Sequence, residues 1–551
     1  MNIAARVAEM AQVMPVAIAV AEPLGYDRQG KRRYRYFTFR QLDRDSDRIA
    51  QGLRELGVTP GTRLALLVRP GVDFVCLVFA LLKAGAVTIL IDPGMGRQNL
   101  LRCLTEAQPQ GFVAIPLVHA VRTLLRRRFP QARIHVTVGR RWFWGGVTLE
   151  RLRRRAWAGP ELASADDDDP AAIIFTTGST GPPKGVLYRH GNLAAQVDQI
   201  RDFYGIQAGE VDLATFPLFG LFNCAMGVTA VTADMDPSRP AQVDPARIVE
   251  AIEDWEITQS FGSPAVWNRV GSHCQERGIR LSTVRRVMSA GAPVPVDVLL
   301  KMKACIHPEG DIHTPYGATE ALPVASISAS EVLAETAART RQGAGVCVGR
   351  RFPAVDWRVI RIVDGPIASI RQAQELPQGE IGELIVRGPA VTREYVTRLE
   401  CNALGKIRDG EGVWHRMGDV GYLDQKERFW MCGRLAHRVV TADGPMFTIP
   451  CEAVFNQHPA IYRSALVGVG PVGQQRPVIV LEPKKGRMPV AQQAKQALLN
   501  EVRALGRKNP CTAKIDEFLF HPAFPVDIRH NAKIFREKLA VWAAARVSRP
   551  R

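Results

Sequence analysis

Apolar positions in the first half of the chain follow two alternating rhythms. Over residues 37–56 they return at helical spacing, with Leu42, Ile49, Leu53 and Leu56 on one side. The turn Gly57-Val58-Thr59-Pro60-Gly61 leads into an apolar strand over 63–68, and a helical run over 71–84 leads into a strand over 87–91. Similar units recur around 171–200 and 250–295. Strand and helix alternating in this way predict parallel sheets with helices on their faces. Past about residue 345 the pattern shortens to β segments between glycine turns (357–362, 379–386, 429–432), which predicts a small β-barrel-like subdomain. From about 437 it restarts, with strands over 465–469 and 477–481, a helix over 490–505 and a basic C-terminal helix. Roughly 115 residues suit an independent small domain. The expected fold is α/β: a large N-terminal domain of parallel-sheet α/β subdomains with a small β-barrel-like subdomain, then a small α+β C-terminal domain.

Composition narrows the class. At 551 residues the chain is too long for one core. A 46% hydrophobic and 23% charged content is that of an ordinary globular enzyme. The most apolar stretch, 74–90, contains Lys83 and Gly85 and reads as a buried helix running into a strand. Arg6, Glu9 and Pro15 interrupt any signal-peptide core, and ten cysteines without a C-x-x-C pair suggest neither zinc nor a disulfide frame. A reducing cytoplasm is the expected setting. The formal charge of +18 is partly concentrated: residues 122–155 hold eleven arginines and one acid, Glu150, among Trp142, Phe143 and Trp144. Three readings stay open for this patch: a solvated surface, a face for an anionic membrane or acidic partner, and nucleic-acid binding. No nucleic-acid fold motif accompanies it, so no nucleic-acid partner is expected.

The densest chemistry lies in residues 173–185, Ile-Ile-Phe-Thr-Thr-Gly-Ser-Thr-Gly-Pro-Pro-Lys-Gly. Thr176, Thr177, Ser179 and Thr180 surround Gly178 and precede Gly181, with Lys184 after a rigid Pro-Pro pair. Glycines let backbone N–H groups turn toward an anion, hydroxyls add donors, and the lysine adds a point charge. A Walker loop is excluded, because the residue five after Gly178 is Pro183 and Gly185 follows Lys184. A second motif is Tyr316-Gly317-Ala318-Thr319-Glu320. A carboxylate near a triphosphate needs a bridging cation, which makes Glu320 a candidate Mg²⁺ ligand.

The loop resembles the phosphate loop of the adenylate-forming superfamily, which includes acyl-CoA synthetases, peptide-synthetase adenylation domains and luciferases. In that family it grips the triphosphate of ATP while a carboxylate attacks the α-phosphorus. The resemblance extends over residues 35–540 and implies roles for matching positions. Thr319 meets the α-phosphate, Tyr316 stacks near adenine, and Thr176 joins Glu320 at the metal. Ser289-Ala290-Gly291-Ala292-Pro293 lies against the base, Asp419 of Trp414-His415-Arg416-Met417-Gly418-Asp419 holds the ribose hydroxyls, and Arg434 adds charge near ribose and phosphate. Lys533, in Phe524-Pro525-Val526-Asp527-Ile528-Arg529-His530-Asn531-Ala532-Lys533-Ile534, is the lysine that swings in to stabilise carboxylate and α-phosphate. Implied catalytic residues are Lys184, Glu320 and Lys533. The hinge follows Gly433-Arg434, so 1–434 is the adenylation domain and 435–551 a mobile lid.

Departures from the common pattern suggest a branch. Ala436 stands where most acyl-CoA synthetases have an acidic or lysine hinge residue, Asn531-Ala532 precedes the lysine in place of a glycine, and Gly220 replaces a larger group at the acyl pocket. Segments 216–222, 236–240, 444–452 and 525–539 resemble the olefin-biosynthesis β-lactone synthetases. That resemblance implies ATP-dependent activation of a 2-alkyl-3-hydroxy fatty acid, then attack by its own 3-hydroxyl to give a β-lactone, AMP and pyrophosphate. The alternative is a long-chain acyl-CoA ligase; a non-catalytic binder is the third reading. Phe216, Phe219, Gly220, Phe222, Val266 and Trp267 are the candidate walls for two alkyl chains, and equally fit an ordinary core. The branch implies hydrolase-like and reductase partners. His190, His415 and His530 lie near the motifs, and none is singled out as the base for the 3-hydroxyl.

Overall fold

The computed structural model describes residues 1–176, 181–526 and 534–547. Two large sheets dominate the N-terminal part. The seven-stranded sheet runs Val147–Thr148, Ile134–Thr137, Gly111–Ala114, Arg63–Leu67, Val87–Leu90, Pro170–Phe175, Gly185–Arg189. All neighbours are parallel except the last pair, a hairpin. The second sheet carries a parallel run, Ile18–Tyr26, Thr229–Thr232, Val211–Ala214, Gln259–Gly262, Arg286–Ser289 and Asp311–Ala318. Helix Val72–Lys83 contributes to the core shared by the two sheets, and eleven of its twelve residues are buried. This explains the all-round apolar stretch: it is a core helix, buried on every side between the sheets as a helix without a polar face requires. Its one buried cation, Lys83, is held by Asp43 at 2.5 Å and Asp47 at 2.7 Å. Among the described residues no helix is long and apolar enough to cross a membrane.

The expected β-barrel-like subdomain is an open sheet. Its strands (Asp356–Ile360, Gly382–Arg387, Gly412–Leu423, Phe429–Arg434, Val346–Arg351) continue the second sheet antiparallel from Ala321–Ser328, and among the described residues the path does not close. Strand Val346–Arg351 makes the join by pairing Ala321–Ser328 near its end and Phe429–Arg434 near its start. Gly349 permits it: φ is +87°, and a Cβ there would collide with the Ser326 carbonyl. Short strands and glycine turns look alike in open and closed sheets, so the sequence pattern could not separate them.

Past Arg434 a three-stranded sheet, Ile461–Val469, Arg476–Pro483 and Glu517–Phe520, packs with helices Thr448–Phe455, Gln492–Arg507 and Arg536–Ala544. Its two apolar clusters draw only on residues from Val439 onward. Polar contacts tie it to the larger part: Arg438 to Asp364, Gln457 to the Arg341 carbonyl at 2.7 Å and Asn509 to the Gln342 carbonyl at 2.7 Å.

Candidate functional site

The loop after strand Pro170–Phe175 returns on Gly185–Arg189, and its neck is closed by two bonds. Thr176 N donates to the Lys184 carbonyl at 3.0 Å, and Lys184 N donates to Thr176 Oγ1 at 3.1 Å. Thr177, Gly178, Ser179 and Thr180 lie outside the described residues; Gly181 takes φ +151°, and among the described residues nothing stands within 4 Å of where a Cβ would be. The neck aims Lys184. Its Nζ donates to the Tyr395 hydroxyl at 3.0 Å, sits 4.3 Å from that ring's centroid and lies 3.6 Å from Glu320 Oε1.

Glu320 reaches this point through a tight hairpin. Strands Asp311–Ala318 and Ala321–Ser328 pair Ala318 with Ala321, leaving Thr319 and Glu320 as a two-residue turn. Gly317 serves the hairpin sterically, since a Cβ there would stand 2.6 Å from the Ala321 carbonyl. The turn is fastened from behind: Thr392 N and Oγ1 donate to the Glu320 carbonyl at 2.9 and 3.0 Å, and Tyr188 donates to the Thr319 carbonyl. Glu320 is 7% exposed, and its Oε1 accepts from the Tyr395 hydroxyl at 2.6 Å. Burial alone would raise this carboxyl, but His415, Lys184, the Tyr395 hydroxyl and Lys406 bring it down to about 2. His415 is itself pushed to about 3 by burial and by Lys406. It is neutral at pH 7, so the positive field there comes from Lys184 and from Lys406 in its protonated fraction. Lys406 is buried with Nζ on the Thr392 carbonyl, and desolvation lowers it to about 7.

A carboxylate so charged fits a divalent cation. Among the described residues none is placed on Glu320 Oε2, and Mg²⁺ commonly takes one or two protein carboxylates with phosphates and water completing its shell. The charge also links the site to stability. Glu320 sits below its ordinary value of 4.5, so it stabilises the fold above pH 4.5, and that contribution drains away as pH falls toward 2. The expected size is about 3 kcal/mol. Urea unfolding of wild type and Glu320→Gln at pH 5 and pH 2.5 should show the gap between them closing on acidification; parallel behaviour would refute the shift.

A second cluster stands beside it. The Tyr316 hydroxyl donates to Asp419 Oδ2 at 2.5 Å, and Arg434 Nε lies 3.1 Å from Asp419 Oδ1. Asp419 and Arg434 are cross-strand partners, and Arg434 also donates to the Met417 carbonyl at 3.1 Å. Tyr316 thus joins two motifs that the sequence keeps 103 residues apart. Ser289 ends strand Arg286–Ser289, and Gly291 takes φ +90° in the turn carrying Ala292 and Pro293. These turns leave the carboxyl ends of neighbouring parallel strands, where open α/β sheets place their ligands.

The candidate pocket residues divide. Phe216 is exposed, Phe219 stacks on Phe261 with centroids 3.9 Å apart, and Phe222 meets Phe219 edge-on at 5.9 Å. Gly220 lines a cavity of about 20 Å³ with Pro70, Gly71 and Phe74. Val266 and Trp267 are each 1% exposed, within the core beneath helix Pro264–Arg277. His190 accepts from Ile3 N at 3.3 Å and His415 Nδ1 bonds the Gly405 carbonyl at 2.9 Å, so both are anchored by main chain. His530 and Lys533 lie outside the described residues. Their segment is bounded by the bridge Val526↔Ile534, with Phe535 N donating to the Pro525 carbonyl at 2.9 Å.

Tyr395, Thr392 and Lys406 are absent from the sequence reading. They come from the 391–406 stretch, which has no glycine loop or dense motif; a lysine amid apolar positions is the only local signal.

The fold is that of adenylate-forming enzymes. It is shared with the amide bond synthetase McbA from Marinactinospora thermotolerans (TM-score 0.79, 22% identity, 98% of this chain and 99% of that one). It is shared too with ATP-bound MatB from Rhodopseudomonas palustris (TM-score 0.75, 20% identity, 98% and 99%). Residues 8–396 match the AMP-binding enzyme family, and the chain belongs to that family. It is 48% identical over 557 residues to the olefin beta-lactone synthetase of Stenotrophomonas maltophilia, covering 100% of this chain and 99% of that protein. The olefin beta-lactone synthetase of Xanthomonas campestris pv. campestris is 47% identical over 98% of this chain and 97% of its own. A feruloyl-CoA synthase of Amycolatopsis is 27% identical over 78% of this chain.

Proposed function

We propose that this protein is an ATP-dependent olefin β-lactone synthetase acting on a 2-alkyl-3-hydroxy fatty acid. The carrying observation is full-length similarity at 48% and 47% to two proteins of that name, against 27% over part of the chain for a CoA-ester-forming relative. The site's electrostatics suit the first half-reaction. A substrate carboxylate oxygen attacks the α-phosphorus of ATP, the bond to pyrophosphate breaks, and an acyl-adenylate forms. Lys184 and the loop Thr176, Thr177, Gly178, Ser179, Thr180 and Gly181 hold the outgoing phosphates. Glu320 and Thr176 would hold Mg²⁺, which when bound would supply charge neutralisation to the triphosphate. Thr319 meets the α-phosphate. Asp419 accepts from the ribose hydroxyls beside Arg434, while Tyr316, Gly317 and the Gly291-Ala292-Pro293 turn border the base.

The second half-reaction is internal. The 3-hydroxyl oxygen attacks the activated carbonyl, the bond to AMP breaks, and the hydroxyl proton passes to solvent water. Nucleophile and electrophile share one molecule, so proximity replaces a second substrate site. The body is 1–434 and the lid 435–551, bringing Lys533 to the reacting groups in a cytoplasmic setting. Hydrolase-like and reductase proteins are the pathway partners on this reading. Incubation with a 2-alkyl-3-hydroxy acid, ATP and Mg²⁺ should yield the β-lactone, AMP and pyrophosphate without CoA. A product formed only with CoA, as its thioester, would overturn the assignment in favour of the acyl-CoA ligase.

A further inference from the structure

The arginine-rich segment folds into a face on which charge and apolar side chains occur together. Helix Pro116–Leu124 buries His119, which stacks on Trp144 at 5.6 Å and bonds the Val136 carbonyl at 3.0 Å. With His119 pinned inward, helical spacing turns Leu117, Val121 and Leu124 outward, and all three are exposed, Leu124 by 83%. Trp144 is buried, donating to Thr137 Oγ1 at 2.9 Å; Trp142 and Phe143 pack on its ring and stay exposed, Phe143 by 71%. The loop bearing them passes the start of the helix, where Gly139 neighbours Pro116.

The arginines of this segment serve two ends. Arg153 and Arg155 are spent internally, on Asp45, Asp73 and Glu150, and on Glu55. Arg126, Arg127 and Arg128, in the turn that follows the helix, are exposed, and among the described residues none has an acidic partner. Arg140 and Arg141 stand exposed beside Trp142, with Arg141 on the Gly146 carbonyl at 2.7 Å. A merely solvated arginine surface does not require leucine, tryptophan and phenylalanine in water beside it.

We propose that this face, helix Pro116–Leu124 with the Arg126–Arg128 turn and the 139–144 loop, docks the enzyme on an anionic lipid surface. Apolar side chains projecting among cations, with aromatic rings at the boundary, match the layering of a bilayer interface, where carbon inserts and guanidinium groups meet phosphate. An acidic protein partner would call for the charge but leave the outward leucines unexplained. The inference is independent of which acid the enzyme activates.

The test uses the full-length protein and sedimentation with phosphatidylcholine vesicles, with and without phosphatidylglycerol. Binding should require phosphatidylglycerol and be released by high salt. R126Q/R127Q/R128Q should weaken it about tenfold or more. L124E/F143E should also abolish it. Both variants should keep wild-type melting temperature and ATP–pyrophosphate exchange with a water-soluble acid, which separates loss of docking from loss of fold. Absence of vesicle binding, equal binding to both vesicle types, or binding untouched by the variants would overturn the proposal. So would self-association or capture of an acidic protein that the same variants abolish while vesicles are ignored.

Discussion

Glu320→Ala is expected to lower ATP-dependent turnover by about 10³-fold and to destabilise the protein by roughly 3–5 kcal/mol at neutral pH. Two effects combine. The variant removes the carboxylate proposed as the Mg²⁺ ligand, and it strips Lys184 and the buried Lys406 of their shared counter-charge. Burial already brings Lys406 down to about 7 against the raising pull of Glu320, so without that carboxylate the lysine gives up its proton near neutral pH, and the extra cost of charging it grows as pH falls below 7. A second change separates the effects. Adding Lys406→Met, which fills similar volume without charge, should recover most of the lost stability and none of the lost activity. Urea midpoints and ATP–pyrophosphate exchange measured together decide it. Near-normal Mg²⁺-dependent exchange in Glu320→Ala would remove the carboxylate from the metal; failure of Lys406→Met to restore the midpoint would remove the electrostatic account.

Lys533→Ala should depress pyrophosphate exchange by about 10²- to 10³-fold, the cost of losing the proposed stabiliser of transition-state charge, and leave ATP affinity nearly unchanged. The flanks suggest that folding will survive. On one side Phe524 N donates to Glu482 at 2.7 Å; on the other Arg536 makes two bonds to the buried Glu452, which also accepts from Leu466 N at 2.8 Å. Lys533 lies between these anchors. Arg536→Ala should behave differently, costing stability as well as rate, because it leaves the buried Glu452 carboxyl without its counter-charge and with only the Leu466 N bond. Exchange by Lys533→Ala at the wild-type rate would reject the assigned role.

How much of this the sequence carried depends on distance along the chain. Local periodicity located helix Val72–Lys83 and strand Val87–Leu90 within a residue or two, because each is set by which neighbours are apolar. The phosphate-loop neck was equally readable, being nine residues from Thr176 to Lys184. Tyr395 was not, since it meets Lys184 across 211 positions and carries no motif of its own. Lys406 looks like any strand lysine until the fold buries it behind Glu320. Trp267 fits a pocket wall and an ordinary core alike in the sequence, and the fold buries it in the core cluster under helix Pro264–Arg277; aromatic character alone does not say which way a ring faces. The barrel-like subdomain expected from the short strands is an open sheet for a related reason: closure depends on which edges meet, and edges are not local.

The Thr319–Glu320 turn acts as a ruler. Its strands are registered at Ala318 and Ala321, so the charged oxygen reaches its place by residue count. Side chains along both strands can therefore drift through evolution while the site stays put, provided their volumes suit the core. A single inserted or deleted residue cannot be absorbed in the same way, because a shift by one exchanges the two faces of the sheet. For anyone recombining this enzyme with its relatives, crossovers inside 311–328 should preserve length absolutely and keep Tyr316, Gly317, Thr319 and Glu320, whereas identity at the remaining positions is negotiable.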